Sequence, residues 1–216
     1  MTFGDTAWQA PSIQAALTHA DSVRSMSFWW FAVAVCLAAA DASSIAVTGL
    51  HGTTRLGARP EPNAIVWLEA PAPTSSMDAS GVVLDQRNLD FSPSILVVQV
   101  GTTVDFPNHD RVFHNVFSFH DGKKFDLGLY PVGTVRKVRF DHPGLSRIFC
   151  NIHPNMTAYV MAVPTPYFTL SDGDGRFEIP AVPPGSYTYH SWRPGKPELT
   201  GTIVVGAGAT LDVRWP

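Results

Sequence analysis

The sequence predicts an all-β fold. No stretch sustains the 3.6-residue apolar spacing of an amphipathic helix. Short apolar or alternating runs recur along the chain instead, as strands require. Turn-forming clusters punctuate them, and the 216 residues include 18 Pro and 17 Gly. The hydrophobic fraction of 45% is enough for a real core, and only 15% of residues are charged, which excludes a solvated disordered chain. A net charge of −3 argues against a nucleic-acid binder, which needs a basic face. Two cysteines exclude a multi-disulfide scaffold and a four-cysteine zinc site.

From the N-terminus, the first element is the apolar run Ser27–Ala40, too short for an ordinary spanning helix. Arg24 precedes it and the small-x-small triplet Ala40-Asp41-Ala42 follows. The run reads as a secretory signal peptide, residues 1–42, cleaved after Ala42. An uncleaved anchor is the alternative. Val35, before Cys36, is bulkier than a lipoprotein signal accepts. Cleavage removes Cys36 and leaves Cys150 alone in a periplasmic or secreted chain with no remaining membrane span. A lone thiol in an oxidising compartment persists when it is buried or bound.

The expected strands are Ile45–Thr48, Ala64–Glu69, Ile95–Val100, Thr103–Phe106, Val112–Phe119, Val135–Phe140, Ser146–Cys150, Ala158–Val163, Tyr167–Ser171, Arg176–Ile179, Ser186–Trp192, Gly201–Val205 and Thr210–Arg214. Gly101, Asp121-Gly122, Pro143-Gly144, Asp172–Gly175 and Pro183–Gly185 mark turns. The Asp172–Gly175 stretch is too short for a calcium loop and reads as a tight hairpin turn. Residues 71–80 read as a linker, and Pro164-Thr165-Pro166 as a shorter one. Between them lies a block of small-domain size that holds Cys150 and most of the histidines.

That block carries the chemistry. Cys150, His153 and Met156 follow one another at C-x2-H-x2-M spacing, and Pro154 precludes a regular helix there. A thiolate, an imidazole and a thioether on one tight loop can converge on a point. A second histidine would complete a His2Cys trigonal set with a weak axial Met, the ligand set of a blue-copper site. His114, at the start of the run HNVFSF, is the leading candidate, with His109 and His120 as competitors. Along an extended strand His120 lies about 20 Å from His114, so both cannot bind one ion. His51, His142 and His190 read as surface residues.

Residues 95–163 resemble the cupredoxins, especially the amicyanin and plastocyanin type. The matching pieces are Val98–Val104, Phe106-x-Asn108, His114-Asn115-Val116, Phe140-x-x-Pro143-Gly144 and the closing Cys150-x2-His153-x2-Met156. The resemblance implies a Greek-key β-sandwich over 81–163 and one type 1 copper held by His114, Cys150, His153 and Met156. It implies that Asn115 ties the His strand to the Cys loop, with Asn108, Pro154 and Phe149 around the ligands. It also implies that His153 reaches the surface beside Ile152 and Pro154 as the electron port. Phe113 stands where the family often has Pro, and Asn151 where it often has a hydroxyl residue.

The flanks, 43–70 and 167–216, resemble the two parts of a carboxypeptidase regulatory-like, transthyretin-type sandwich. The copper domain is therefore expected to be inserted in a second sandwich. The expected function is one-electron transfer, copper cycling between Cu(II) and Cu(I), with an exported dehydrogenase or cytochrome as partner. Some relatives of this arrangement are labelled methylamine-utilisation proteins. Copper storage, delivery or sensing is the alternative, but the chain has no Met- or His-rich tract. A copper enzyme would need further His ligands, and no His-x-His pair occurs.

Overall fold

The computed structural model describes residues 48–70, 80–119 and 121–216. The leader with Cys36, the first expected strand up to Thr48, most of the 71–80 linker and His120 lie outside the described residues. Among the described residues the regular structure is all strand, and no helix is long and apolar enough to cross a membrane.

The strands are β1 (Thr48–Leu56), β2 (Arg59–Pro60), β3 (Ile65–Leu68), β4 (Val82–Val83), β5 (Asp85–Arg87), β6 (Asp90–Ser92), β7 (Ile95–Gln99), β8 (Thr103–Pro107) and β9 (His114–Ser118). Then come β10 (Phe125–Tyr130), β11 (Val135–Arg139), β12 (Gly144–Phe149), β13 (Thr157–Val163), β14 (Phe168–Leu170), β15 (Arg176–Val182), β16 (Gly185–Trp192), β17 (Leu199–Val205) and β18 (Thr210–Trp215).

Residues 82–163 form an inner sandwich. One sheet runs β10-β9-β12-β13-β7 and the facing one β11-β8-β4, with the β5–β6 hairpin alongside. Alternation along the strands fills the space between the sheets with Val104, Phe106, Val116, Tyr130, Phe140, Ile148, Ala158 and Val160, all buried. Cys150 and Met156 belong to this same cluster.

An outer sandwich is built from both ends of the described chain. One sheet has β15-β1-β18 with β2 against β1, and the other β14-β3-β16-β17. Leu50, Leu68, Ile179, Val213 and Trp215 fill its core. The inner sandwich thus lies, in sequence, between two parts of the outer one, and Phe168 of β14 pairs with Trp67 of β3. Ile65, Trp67, Met161 and Val163 form a third cluster where the two meet.

The first strand departs from expectation. It runs over Thr48–Leu56, through Gly49 and Gly52, where sequence pattern marks no strand. Gly52 is required there, because a Cβ would collide with the Leu211 carbonyl and the Phe177 ring. The edge strand β10 was not expected either. Its FDLGLY sequence is half exposed, and Gly128 sits at a register shift against β9. The Asp172–Gly175 turn is not a hairpin, since β14 and β15 lie in different sheets. Asp172 Oδ1 instead accepts the amides of Asp174 and Arg176.

Candidate metal centre

Strand register assembles the site. β12 and β13 pair through Phe149 and Thr157, so Cys150–Met156 is the connection that closes this antiparallel pair. β9 runs antiparallel to β12 with Phe117 opposite Phe149. Moving back along β9 to His114 therefore moves forward past β12, into the loop that carries Cys150 and His153. A Met156 amide bond to the His153 carbonyl, 2.9 Å, keeps that loop tight.

Three donor atoms converge. Cys150 Sγ lies 3.8 Å from His114 Nδ1 and 3.7 Å from His153 Nδ1, and the two imidazole nitrogens are 3.1 Å apart. His114 and Cys150 are buried and His153 is partly exposed. The spacing can be tested against a bound ion. With metal–nitrogen bonds of about 2.0 Å and metal–sulfur bonds of about 2.3 Å, lengths known for zinc, a trigonal set separates N from S by about 3.7 Å and N from N by about 3.5 Å. The observed triangle fits, slightly closed between the imidazoles. Met156 is fully buried in the core cluster that contains Cys150.

His114 is held from behind. Its Nε2 lies 3.0 Å from Asp110 Oδ2. The Asp110 carboxyl sits below the usual carboxylate range, first because the Leu89 amide donates to it, against the effect of burial, and then because His114 and the Arg111 amide do. An ionised carboxylate only accepts, so Nε2 carries the imidazole proton. Nδ1 is then left with its lone pair toward Cys150 and His153, the state a metal ligand needs.

Asn108 organises the loop before β9. Its Nδ2 donates to the Val112 and Tyr130 carbonyls, at 2.9 and 3.2 Å, and its Oδ1 accepts the Asp110 amide at 3.0 Å. Asn108 thus shapes the turn that presents both Asp110 and His114. Phe149 stacks on Phe117 at 5.7 Å, and Arg147 lies over its ring at 4.7 Å. Pro154 is exposed at the tip of the ligand loop.

Asn115 departs from the role its resemblance implied. Its Nδ2 donates to Asp126 Oδ1 across the β9–β10 pair at 2.8 Å, and its buried Oδ1 has no hydrogen-bond partner among the described residues. His109, the competitor for the ligand role, turns away to Asp85 Oδ1 at 2.8 Å and is half exposed. His51 and His142 are exposed, as expected. His190 is not. Its side chain is 16% exposed, it stacks on Trp67 at 4.9 Å, and it lies between Glu69 and Glu198.

Sequence reasoning passed over Asp110, Gln86 and Tyr130. Gln86 and Tyr130 form a buried polar bridge beneath the 107–110 turn, with Gln86 donating to the Pro107 carbonyl at 3.0 Å and Tyr130 to that of Phe106 at 3.1 Å. Burial pushes the Tyr130 phenol up. The one available signal was an acidic residue four positions before the candidate ligand.

Comparison with known proteins gives the following. Residues 165–213, less than a quarter of the chain, match a fibronectin-type family model described as polysaccharide lyase family 4, domain II. That is a different description from the carboxypeptidase regulatory-like one of the sequence resemblance. A search of curated protein sequences returns no match. Similar solved structures include a purple cupredoxin from Nitrosopumilus maritimus, 27% identical, spanning 38% of this chain and 100% of that one at a TM-score of 0.36. A mutant of amicyanin in its reduced state is 20% identical over 45% of this chain and 98% of its own, with a TM-score of 0.36. A copper-containing nitrite reductase from Thermus scotoductus SA-01 is 21% identical over 52% of this chain at a TM-score of 0.39, and only 28% of that enzyme's length is matched.

Proposed function

We propose that the chain is a one-electron carrier with a single type 1 copper held by His114, Cys150 and His153 and, more weakly, by Met156. The observation that carries this reading is the triangle of one thiol and two imidazole nitrogens, two of them on buried residues, at 3.1, 3.7 and 3.8 Å. Bound there, copper would supply a reversible Cu(II)/Cu(I) couple. The residues supply everything else. The thiolate and Met156 favour the soft reduced ion, the imidazoles suit both states, and the short loop keeps the donors in place in each.

The strand pairing among the described residues supports a domain reading with 81–163 as the copper domain, 43–70 and 167–216 as the second module, and 71–80 as linker. The 1–42 leader supports a periplasmic or secreted location. A carrier is favoured over an enzyme because the sequence holds no His-x-His pair of the kind a second copper would need. Its partner would be an exported dehydrogenase or cytochrome. Ile152, next to the partly exposed His153, and Phe113, next to His114, are 47% and 52% exposed, an apolar surface suited to brief contact.

The test is direct. Cu(II) added to the purified chain should give an intense visible thiolate-to-copper band and a reversible potential, and Cys150→Ser should abolish the band. A band that survives the substitution would falsify the assignment. A band with slow, irreversible cycling would point to copper storage or delivery.

A further inference from the structure

The β5–β6 hairpin is joined by Asn88 and Leu89, both left-handed, with φ of 57° and 60°. Two such residues make the type I′ turn that suits a two-residue hairpin. Asn tolerates this conformation, but a leucine in it is unusual. The Leu89 side chain is half exposed, so packing does not account for the choice. Its backbone does something specific. The Leu89 amide donates to Asp110 Oδ2 at 2.7 Å, the same oxygen that lies 3.0 Å from His114 Nε2. The rest of the hairpin is fastened to the 107–110 turn as well. The His109 amide bonds the Gln86 carbonyl at 3.0 Å, His109 Nδ1 meets Asp85 at 2.8 Å, and Gln86 Nε2 reaches the Pro107 carbonyl at 3.0 Å.

We propose that the Asn88–Leu89 turn tunes the metal centre through Asp110, because the Leu89 N–H and the His114 N–H share one carboxylate oxygen. Asp110 is a positioning residue: it fixes the tautomer of His114 and draws on its Nε2 proton, which makes Nδ1 a stronger donor. The Leu89 amide takes part of the same negative charge. Each bond to Oδ2 weakens the other, so the turn moderates how strong a donor Nδ1 becomes. A stronger nitrogen donor favours Cu(II). Loss of the carboxylate should therefore raise the reduction potential, and loss of the Leu89 N–H should lower it. A merely structural role for the turn predicts no such opposition of sign.

The copper arm of this inference rests on the type 1 reading, so the experiment has a metal-free arm too. The variants are Asp110→Asn, Leu89→Gly, and an ester in place of the Leu89 amide that keeps the side chain. In the metal-free chain, nitrogen-15 NMR should show a slowly exchanging His114 Nε2–H. It should move upfield in Asp110→Asn, move further downfield in the ester, and stay in place in Leu89→Gly, which retains the N–H and suits the positive φ. In the copper-loaded chain, Asp110→Asn should reduce the Cu(II)/Cu(I) affinity ratio about tenfold, a rise of about 59 mV. The ester should shift the potential the other way, and Leu89→Gly should leave it unchanged. A proton resonance and a potential that ignore both Asp110→Asn and the ester would overturn the proposal. The expected NMR shifts in a chain that gives no visible band with Cu(II) would overturn the copper reading and leave the Leu89–Asp110–His114 relay standing.

Discussion

His114 and His190 are both covered histidines bonded to carboxylates, one in each sandwich. His114 gives one nitrogen to Asp110 and leaves the other facing a thiol and a second imidazole. His190 has both nitrogens occupied, Nε2 by Glu69 at 3.0 Å and Nδ1 by Glu198 at 2.7 Å, with its ring stacked on Trp67. The difference teaches what separates a candidate ligand from a strut. Burial and a carboxylate partner are common to both. What distinguishes His114 is one lone pair left over, aimed at soft donors.

The largest effect should come from exchanging that role. His114→Gln should lower Cu(II) affinity at least about a hundredfold, whereas His190→Gln should leave affinity and band unchanged in a copper titration. Equal losses would end the distinction between the two. Next, Gly52→Ala should destabilise the outer sandwich by about 1–3 kcal/mol, because the new methyl meets a carbonyl and a ring. Its visible spectrum should match that of the parent, and a changed spectrum would mean that the outer core shapes the metal site. His190→Gln should cost about 1–2 kcal/mol in denaturant unfolding, from the lost bonds to two carboxylates.

The smallest effect concerns acid. Glu69 is held below its ordinary 4.5, chiefly by the bond from His190 and then by that from Thr188. A depressed carboxyl contributes stability that is present above its ordinary value and lost as the pH falls through the lowered one. His190→Gln should therefore flatten the stability curve below pH 4.5. Because Glu69 is more than half exposed, the change should be only a few tenths of a kcal/mol, about the worth of a surface pair. An unaltered acid limb would mean that the clamp contributes nothing.

The ligand loop was legible in the sequence because its donors are close together in the chain and chemically distinctive. Cys150 and His153 need only a turn to converge, and His114 needed only a strand beginning beside it. Asp110 was less legible. An aspartate in a Pro-Asn-His-Asp turn is ordinary, and nothing in the spacing says that the turn folds back onto the ring of His114. The Leu89 contribution was invisible, since a backbone amide carries no sequence signature. The core strands stood out because they are apolar throughout, as β3 is, or alternate apolar and polar residues, as β8 does. Edge strand β10 and hairpin strands β5 and β6 alternate weakly or are short and polar, so pattern alone passed over them. His190 was misread because its two carboxylates come from β3's far end and the β16–β17 connection, positions distant in sequence or unremarkable in it.

The pairing of Phe168 with Trp67 has a consequence for folding order. To the outer sandwich, everything between those two residues is a single loop of roughly a hundred residues, and bringing the ends of a flexible loop that long together costs about 4 kcal/mol, plus a constant. An inner sandwich that has already folded shortens the free part of that loop to the segments joining it to β3 and β14, and removes most of that cost. The outer sheet should then zip last, with amides of β12 and β13 protected in pulse-labelled hydrogen exchange before those of β3 and β14. Simultaneous protection would mean that the two sandwiches nucleate together. If the order holds, any ion that stabilises the inner fold also hastens closure of the outer one, although it touches none of its strands.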